Sequence, residues 1–508
     1  MEKASFCASQ HCQSAGTEST GDEDDVYPIH LQDFNFRNLI MVCTLRFDHA
    51  LDACKLHTAL ARLLGKDDWR KLGGRVRRRA DGKLEIHVPQ RFSVKRPPAR
   101  FSHIDLTDTL IADHEFASNL PVPTEGISVQ PNQYNLIELG VEQDAPRTFD
   151  QMMDRDVPQM SLHIVSFQDA TLVSISWPHS LMGGQGFADF LRAWSLMVED
   201  KDSEVPRLLG AKEDVLLQAE NCNFASPEKG SSEKDWVVQK CRLIGMDLVL
   251  FLLRFVWSLF WAPKEVKTVF LPKKSLEKLQ LACRNEISSD TSLEVVETGN
   301  KPQDDELVLL AYFARLAAST SHSHRPITLV NFLKGGRLLS SVRQENASGV
   351  YVQNMTGYAF SFLTGKTARG GLGALVRENC CQMREQSTEQ QYLSFLRTYR
   401  RATEHGGTFK LFYGPRDAHV IVCNSFLDED LAGAVNFAAA ALTKHSTSGG
   451  TPPGRMSCFY YHIMNNRLGC GADCIYLLGK DWAGNLWATA ALPRNAWRDV
   501  DLALKQYA

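Results

Sequence analysis

Apolar and polar positions along the chain repeat at two periods, and the period changes every ten to twenty residues. Leu39 to Phe47 is rich in branched and apolar residues and predicts a strand. Leu51, Cys54, Ala59, Leu60 and Leu63 then recur at helical spacing, and Gly65 ends that helix. Arg75 to Arg79 and Lys83 to Val88 form a hairpin pattern around Asp81-Gly82. A polar, proline-containing passage follows to about residue 155. Beyond it, Met160 to Phe167 and Thr171 to Trp177 form a second hairpin, joined by Gln168-Asp169-Ala170. Phe187, Phe190, Leu191, Trp194 and Leu196 restore the helical period, which runs to about Met197. Strands alternating with helices in this way predict a layered α/β domain.

The pattern then breaks. Residues 199–240 are polar and turn-rich, and they read as a linker. They lead into Leu248 to Ala262, an apolar stretch interrupted by Arg254 and shorter than the roughly 20 residues that cross a bilayer. Its Trp and Phe residues suit a buried interdomain helix or a helix lying in a membrane surface, and burial is the preferred reading. Val266 to Leu271 resumes strand character, and Leu276, Leu279 and Leu281 begin a helix. Acidic residues Asp304, Asp305 and Glu306 open another over Leu307 to Ala318, as the helix dipole favours. Strands are predicted at Ile327 to Phe332 and Val420 to Asn424, a last hairpin at Cys458 to Met464 and Cys474 to Leu478, and a closing helix through Val500, Leu502 and Leu504. The resulting division is a disordered lead-in over 1–24, an N-terminal domain over 25–198, a crossover with an apolar helix over 199–265 and a C-terminal domain over 266–508.

Composition narrows the classes. The 508 residues carry 56 basic and 59 acidic side chains, a net charge of −3, which gives no footprint for nucleic-acid binding. The basic run Arg75-Val76-Arg77-Arg78-Arg79 beside a hairpin turn reads as a solvated strand edge. The 13 cysteines are scattered; neither Cys380-Cys381 nor Cys470 with Cys474 makes a four-ligand zinc spacing with the histidines, and no metal is expected. The first residues, Met1 to Ser5, lack an apolar signal core, so the expected compartment is reducing and cytoplasmic. In that compartment the Asn-x-Ser/Thr triplets at Asn346 and Asn354 are read as chance matches rather than glycan acceptors.

Chemistry concentrates at Trp177-Pro178-His179-Ser180-Leu181-Met182-Gly183-Gly184-Gln185-Gly186. A strand ends at Pro178, one histidine follows, and Gly183, Gly184 and Gly186 let backbone approach a ligand before the next helix. An imidazole of ordinary pKa, about 6.5, can take a proton from an alcohol or amine at neutral pH. The plain alternative is a strand-end histidine that bonds a neighbouring carbonyl. A cysteine-based hydrolase fits worse, because no cysteine stands in a motif with His179. Asp189, on the following helix, reads as a surface or capping residue.

Residues 177–184 with Leu191-Arg192-Ala193-Trp194-Ser195 resemble the His-x-x-x-Asp-Gly segment of the BAHD-type acyl-CoA-dependent acyltransferases, in particular the fungal branch that acylates secondary-metabolite alcohols. Leu72 to Val76 with Gly82 to Pro89, Glu204 to Gly210, Gly336-Arg337-Leu338 and Gly349 to Asn354 are similar to further segments of that family. The resemblance covers nearly all of the chain after about residue 25. It implies two similar α/β domains of chloramphenicol-acetyltransferase type with the active site in a channel between them. It also implies acyl transfer, expected to be acetyl, from acyl-CoA as co-substrate to a small-molecule hydroxyl. His179 would be the general base, with no acyl-enzyme, no tightly bound cofactor and no metal, in a monomer. Gly183, Gly184 and Gly186 are the expected substrate-contacting positions. Lys273 and Lys274 could meet coenzyme A phosphates, although a solvated pair is the simpler reading; no cofactor-binding residue is otherwise assigned.

Three positions depart from the family pattern. Its Asp four residues after the His is Gly183 here, and the second-half Arg that pairs with it is missing from Lys334-Gly335-Gly336-Arg337-Leu338 unless Lys334 stands in. Losing both ends of a buried pair avoids the orphaned charge that losing one would leave, so the expectation is a site without its clamp but with its base. The Asp-Phe-Gly-type motif becomes Asn436-Phe437-Ala438, for which a structural role is expected. The alternative function is a catalytically weakened relative serving as a binding or regulatory protein, and Gly183 is the feature that favours it. Peripheral membrane contact through 248–262 would exclude neither.

Overall fold

The computed structural model describes residues 24–131, 134–224, 235–289, 302–319, 324–345, 348–404, 409–442, 450–464 and 471–508. The expected disordered lead-in, the Asn346 triplet and Cys470 lie outside them.

Two sheets dominate. The first has five strands in the spatial order Cys458–Ile463, Ile40–Phe47, Thr171–Pro178, Ser161–Phe167, Arg100–Leu106. Thr171–Pro178 is buried along its whole length, which is why every position in it is apolar or a small hydroxyl. It is the central strand of the five, so His179 follows the end of a central strand. Helices Ala53–Leu64 and Gly184–Val198 pack on this sheet, and Trp194 Nε1 donates to Leu56 O at 3.1 Å between them. The second sheet has seven strands in the order Thr356–Leu363, Ile327–Lys334, His419–Ser425, Asp473–Lys480, Leu486–Pro493, Lys264–Leu271, Ser128–Pro131. Pairing is parallel on both sides of His419–Ser425 and antiparallel elsewhere. Helices Pro302–Ser319 and Leu372–Gln386 join one core on it, while Glu389–Thr403 and Trp236 build another from rings of Phe360, Phe395 and Tyr413.

Each sheet takes a strand from the other half of the chain. Ser128–Pro131 pairs with Lys264–Leu271, and Cys458–Ile463 pairs with Ile40–Phe47. The expected terminal hairpin is therefore not one: Cys458–Ile463 and Asp473–Lys480 lie in different sheets. The polar passage before residue 155 holds two strands that periodicity did not mark, Arg100–Leu106 and Ser128–Pro131. The turn-rich crossover is also built into the fold. Arg207–Leu209 pairs in parallel with Gly349–Tyr351, and Trp236 is buried.

Two surface readings change. In the basic run, Arg77 and Arg79 are exposed and paired with acids, but Arg75 is buried and donates to the carbonyls of Asp156 and Pro97. The apolar stretch forms the helix Gly245–Trp261, and its preferred burial is overturned, since Phe251 is its one buried residue. No helix among the described residues is long and apolar enough to cross a membrane.

Candidate active site

A cavity of about 580 Å³ lies between the two sheets. Its wall includes Phe36, Met41 and His179 from the first half of the chain and Met355, Asn424 and Tyr476 from the second. Gly183, Gly184 and Gly186 also line it. Lys273 and Lys274 do not; they are exposed at the start of the helix Lys273–Ser289.

His179 is held from several sides. Its backbone N–H donates to Leu39 O at 2.7 Å, which fixes the turn after Pro178 to the neighbouring strand. The ring stacks on Phe36 with centroids 5.0 Å apart. Burial lowers the imidazole pKa, because charge is poorly solvated there; its own backbone and the Asn354 side chain pull the other way. Nδ1 faces protein and has no hydrogen-bond partner, and Asn354 Oδ1 is likewise buried and unpartnered.

The sequence marks Asn354 only as a chance triplet and as the end of a family-like segment, with no role at the site. It is fully buried, which excludes it as a glycan acceptor in the folded protein. Its Nδ2 donates to Asp33 Oδ1 and to His179 O, both at 2.8 Å, and its backbone N–H donates to the same Asp33 oxygen at 2.8 Å. Two acceptors on Nδ2 orient the amide, so Oδ1 is turned towards the histidine turn. Asp33, on the short helix Leu31–Phe36, is itself buried. Burial pushes its pKa up to about 6, while Lys71 and the two Asn354 donors favour its charged form. Lys71 is buried too and donates to Ala211 O at 3.0 Å. The residues Lys71, Asp33, Asn354 and His179 thus form a buried polar row that ends on the backbone of the histidine.

Gly183 faces this row. A Cβ on it would come within 3.0 Å of Asn354 Oδ1, so the amide occupies the space into which a side chain at 183 would grow. The two basic side chains of the matching second-half segment are engaged elsewhere: Arg337 pairs with Asp428, and Lys334 pairs with Asp428 and with Glu429 at 2.8 Å. Gly183 N–H donates to Val352 O at 3.2 Å, and a Cβ on Gly186 would meet Val352 Cα at 2.7 Å. These glycines let the helix Gly184–Val198 press against backbone from the other half of the chain. Asn436 does similar work: its N–H donates to Ser195 Oγ at 3.0 Å, and its side chain bonds Glu199. Asp189 bonds Gln185 and Arg192 on its own helix and also lines the cavity. Among the described residues no three His, Cys, Asp or Glu side chains converge as metal ligands would.

An alternating two-sheet fold, a cavity between the sheets and a histidine after a central strand define a class, and comparison with known proteins gives the family. No family model matches the chain. The O-acetyltransferase PaAT-2 of Phomopsis amygdali is 30% identical over 493 residues, covering 95% of this chain and 98% of that protein. The acetyltransferase BOT5 of Botryotinia fuckeliana is 30% identical over 542 residues, covering 100% of this chain and 95% of its own. Among solved structures, Fusarium graminearum TRI101 complexed with coenzyme A and T-2 mycotoxin superposes with a TM-score of 0.59 at 12% identity, covering 94% of this chain and 97% of that one. Vinorine synthase superposes at 0.54 and 9% identity, covering 97% and 95%. The chain belongs to the family of fungal acetyltransferases and O-acyltransferases that these relatives represent, and is an acyltransferase; with TRI101 and vinorine synthase it shares the fold.

Proposed function

We propose that the enzyme transfers an acetyl group from acetyl-CoA to a hydroxyl of a small secondary metabolite, with His179 as general base and no acyl-enzyme. The observation that carries this reading is the position of His179, on the wall of a cavity reached by both halves of the chain. The activities for which its relatives are named, O-acetyltransferase and acetyltransferase, favour acetyl. With its other proton on Nδ1, His179 Nε2 accepts the acceptor O–H proton as the oxygen attacks the thioester carbonyl. The new C–O bond forms, the C–S bond breaks, and the coenzyme A sulfur takes the proton back from Nε2. Asn354 Oδ1, which has no other partner, is suited to accept Nδ1–H as the imidazolium forms, in keeping with the pull of the Asn354 side chain towards the charged ring. General-base help of this kind contributes roughly 10²–10⁴ in rate. Gly183, Gly184 and Gly186 are proposed to let the thioester approach the cavity wall.

Asn354 Oδ1 borders the space into which a side chain at 183 would grow, which supports reading Gly183 as part of a repacked site; the catalytically weakened relative is the alternative. The test is release of coenzyme A thiol from acetyl-CoA with pooled small alcohols, comparing the native enzyme with His179→Ala. Acceptor-dependent release that falls at least a hundredfold in the variant is expected. Equal release from both would remove His179 from the mechanism.

A further inference from the structure

The helix Gly245–Trp261 is apolar on both faces, and among the described residues only one face has protein against it. On the inner face Phe251 is 5% exposed and packs on Phe412 with ring centroids 5.5 Å apart, while Phe255 and Leu259 lie against Gly471. On the outer face Met246, Val249, Leu253, Val256, Trp257 and Phe260 recur at spacings of three and four, one continuous stripe along the helix. Trp257 is 64% exposed, Phe260 79% and Trp261 71%. Scattered apolar residues on a surface need no explanation, but an unbroken row of large ones over a whole helix marks an interaction site.

The rim says what kind. Residues 410–417 run beside the helix start: Leu243 N–H donates to Phe412 O at 2.9 Å, and Arg254 donates to Arg416 O at 3.5 Å. Along 240–261 and 410–417 the cations are Lys240, Arg242, Arg254, Lys410 and Arg416, all exposed. The acids on the same segments are Asp247, which pairs with Arg416 at 3.0 Å, and Asp417. Five cations against two acids leave this rim positive on a chain whose net charge is −3.

We propose that the helix Gly245–Trp261 lies in the plane of an anionic lipid surface, its Trp and Phe stripe in the headgroup boundary and its basic rim on the phosphates. At 17 residues it is about 26 Å long at 1.5 Å per residue, so it lies along the bilayer rather than across it. Indole and phenyl rings are the side chains that settle at this depth, and each cation near an anionic surface adds attraction. The inference stands apart from the acyl-transfer chemistry, since no residue of the helix lines the cavity.

The test is sedimentation of the intact enzyme with phosphatidylcholine vesicles, with and without phosphatidylserine. The native enzyme is expected to pellet with the mixed vesicles and only weakly with the neutral ones. Trp257→Glu with Phe260→Glu should lower partitioning at least tenfold while leaving the circular dichroism melt and the coenzyme A release unchanged, because both side chains point outward. Arg242→Glu with Arg254→Glu should abolish the preference for phosphatidylserine. Failure of the native enzyme to pellet with either vesicle, or equal pelleting of the Trp257/Phe260 variant, would overturn the proposal. So would light scattering that shows a dimer which the same variant turns into monomer, because a second copy would then cover the stripe.

Discussion

Asn354 holds the backbone of His179 with one end of its amide and borders the imidazole with the other. Asn354→Ala removes both, and a lost hydrogen bond to a charged group costs about 1.5–3 kcal/mol. If the charged imidazolium forms only during reaction, kcat should fall about ten- to hundredfold with KM nearly unchanged; steady-state kinetics read the split, and a loss confined to KM would assign Asn354 to binding. Gly183→Asp should lower activity rather than restore a family feature. Its Cβ would crowd Asn354 Oδ1 at 3.0 Å, and its carboxylate would join Asp33 in the same buried region. A variant more active than the native enzyme would refute this account of Gly183. The lowered pKa of His179 has a definite sign. A base acts when neutral, and a lowered pKa keeps it neutral further into acid. The acidic limb of kcat/KM should therefore fall below the ordinary histidine value of about 6.5, and a limb above it would contradict the assignment. His179 was legible because strand, proline, histidine and glycines are contiguous. Asp33 and Asn354 were not: they stand 321 positions apart, and although Gly349 to Asn354 carries part of the family resemblance, nothing in that segment points Asn354 at the histidine.

At the scale of elements, the pattern of apolar positions found what burial dictates. Thr171–Pro178 was readable as a continuous run because all of its positions are buried, and its helix Gly184–Val198 because it buries a regular set of them. Arg100–Leu106 was not, for all its positions but Asp105 are half-buried, with polar Ser102, His103 and Asp105 among them. Ser128–Pro131 is a four-residue edge strand, too short for a period to show. The apolar helix Gly245–Trp261 was found as a helix and misjudged in placement, since hydrophobicity alone does not say what covers a face. The helix Gly184–Val198 depends on Gly186, whose missing Cβ admits Val352 Cα. Gly186→Ala would have to move two backbones apart, and overpacking of this kind costs about 1–3 kcal/mol. A lower urea midpoint with an unchanged m-value is the expected outcome; an unchanged midpoint would show that the seam yields freely.

For the whole molecule, the exchanged strands mean that the halves of the chain are not separate modules. Residues 24–224 alone lack Cys458–Ile463, and the remainder alone lacks Ser128–Pro131. Expressed singly, each half should be insoluble or lack cooperative unfolding, whereas co-expression should return a soluble pair. A soluble, cooperatively unfolding first half would contradict this view of the strand exchange. The same feature bears on how the chain is made. Ile40–Phe47 leaves the ribosome more than four hundred residues ahead of the strand that covers its outer edge. Until synthesis reaches it, the sheet presents an open, apolar edge of the kind that recruits other nascent chains. Closure of that edge waits until Cys458–Ile463 has been made, so yield in a heterologous host should respond to elongation speed and to holdase chaperones more than to the stability of the finished enzyme.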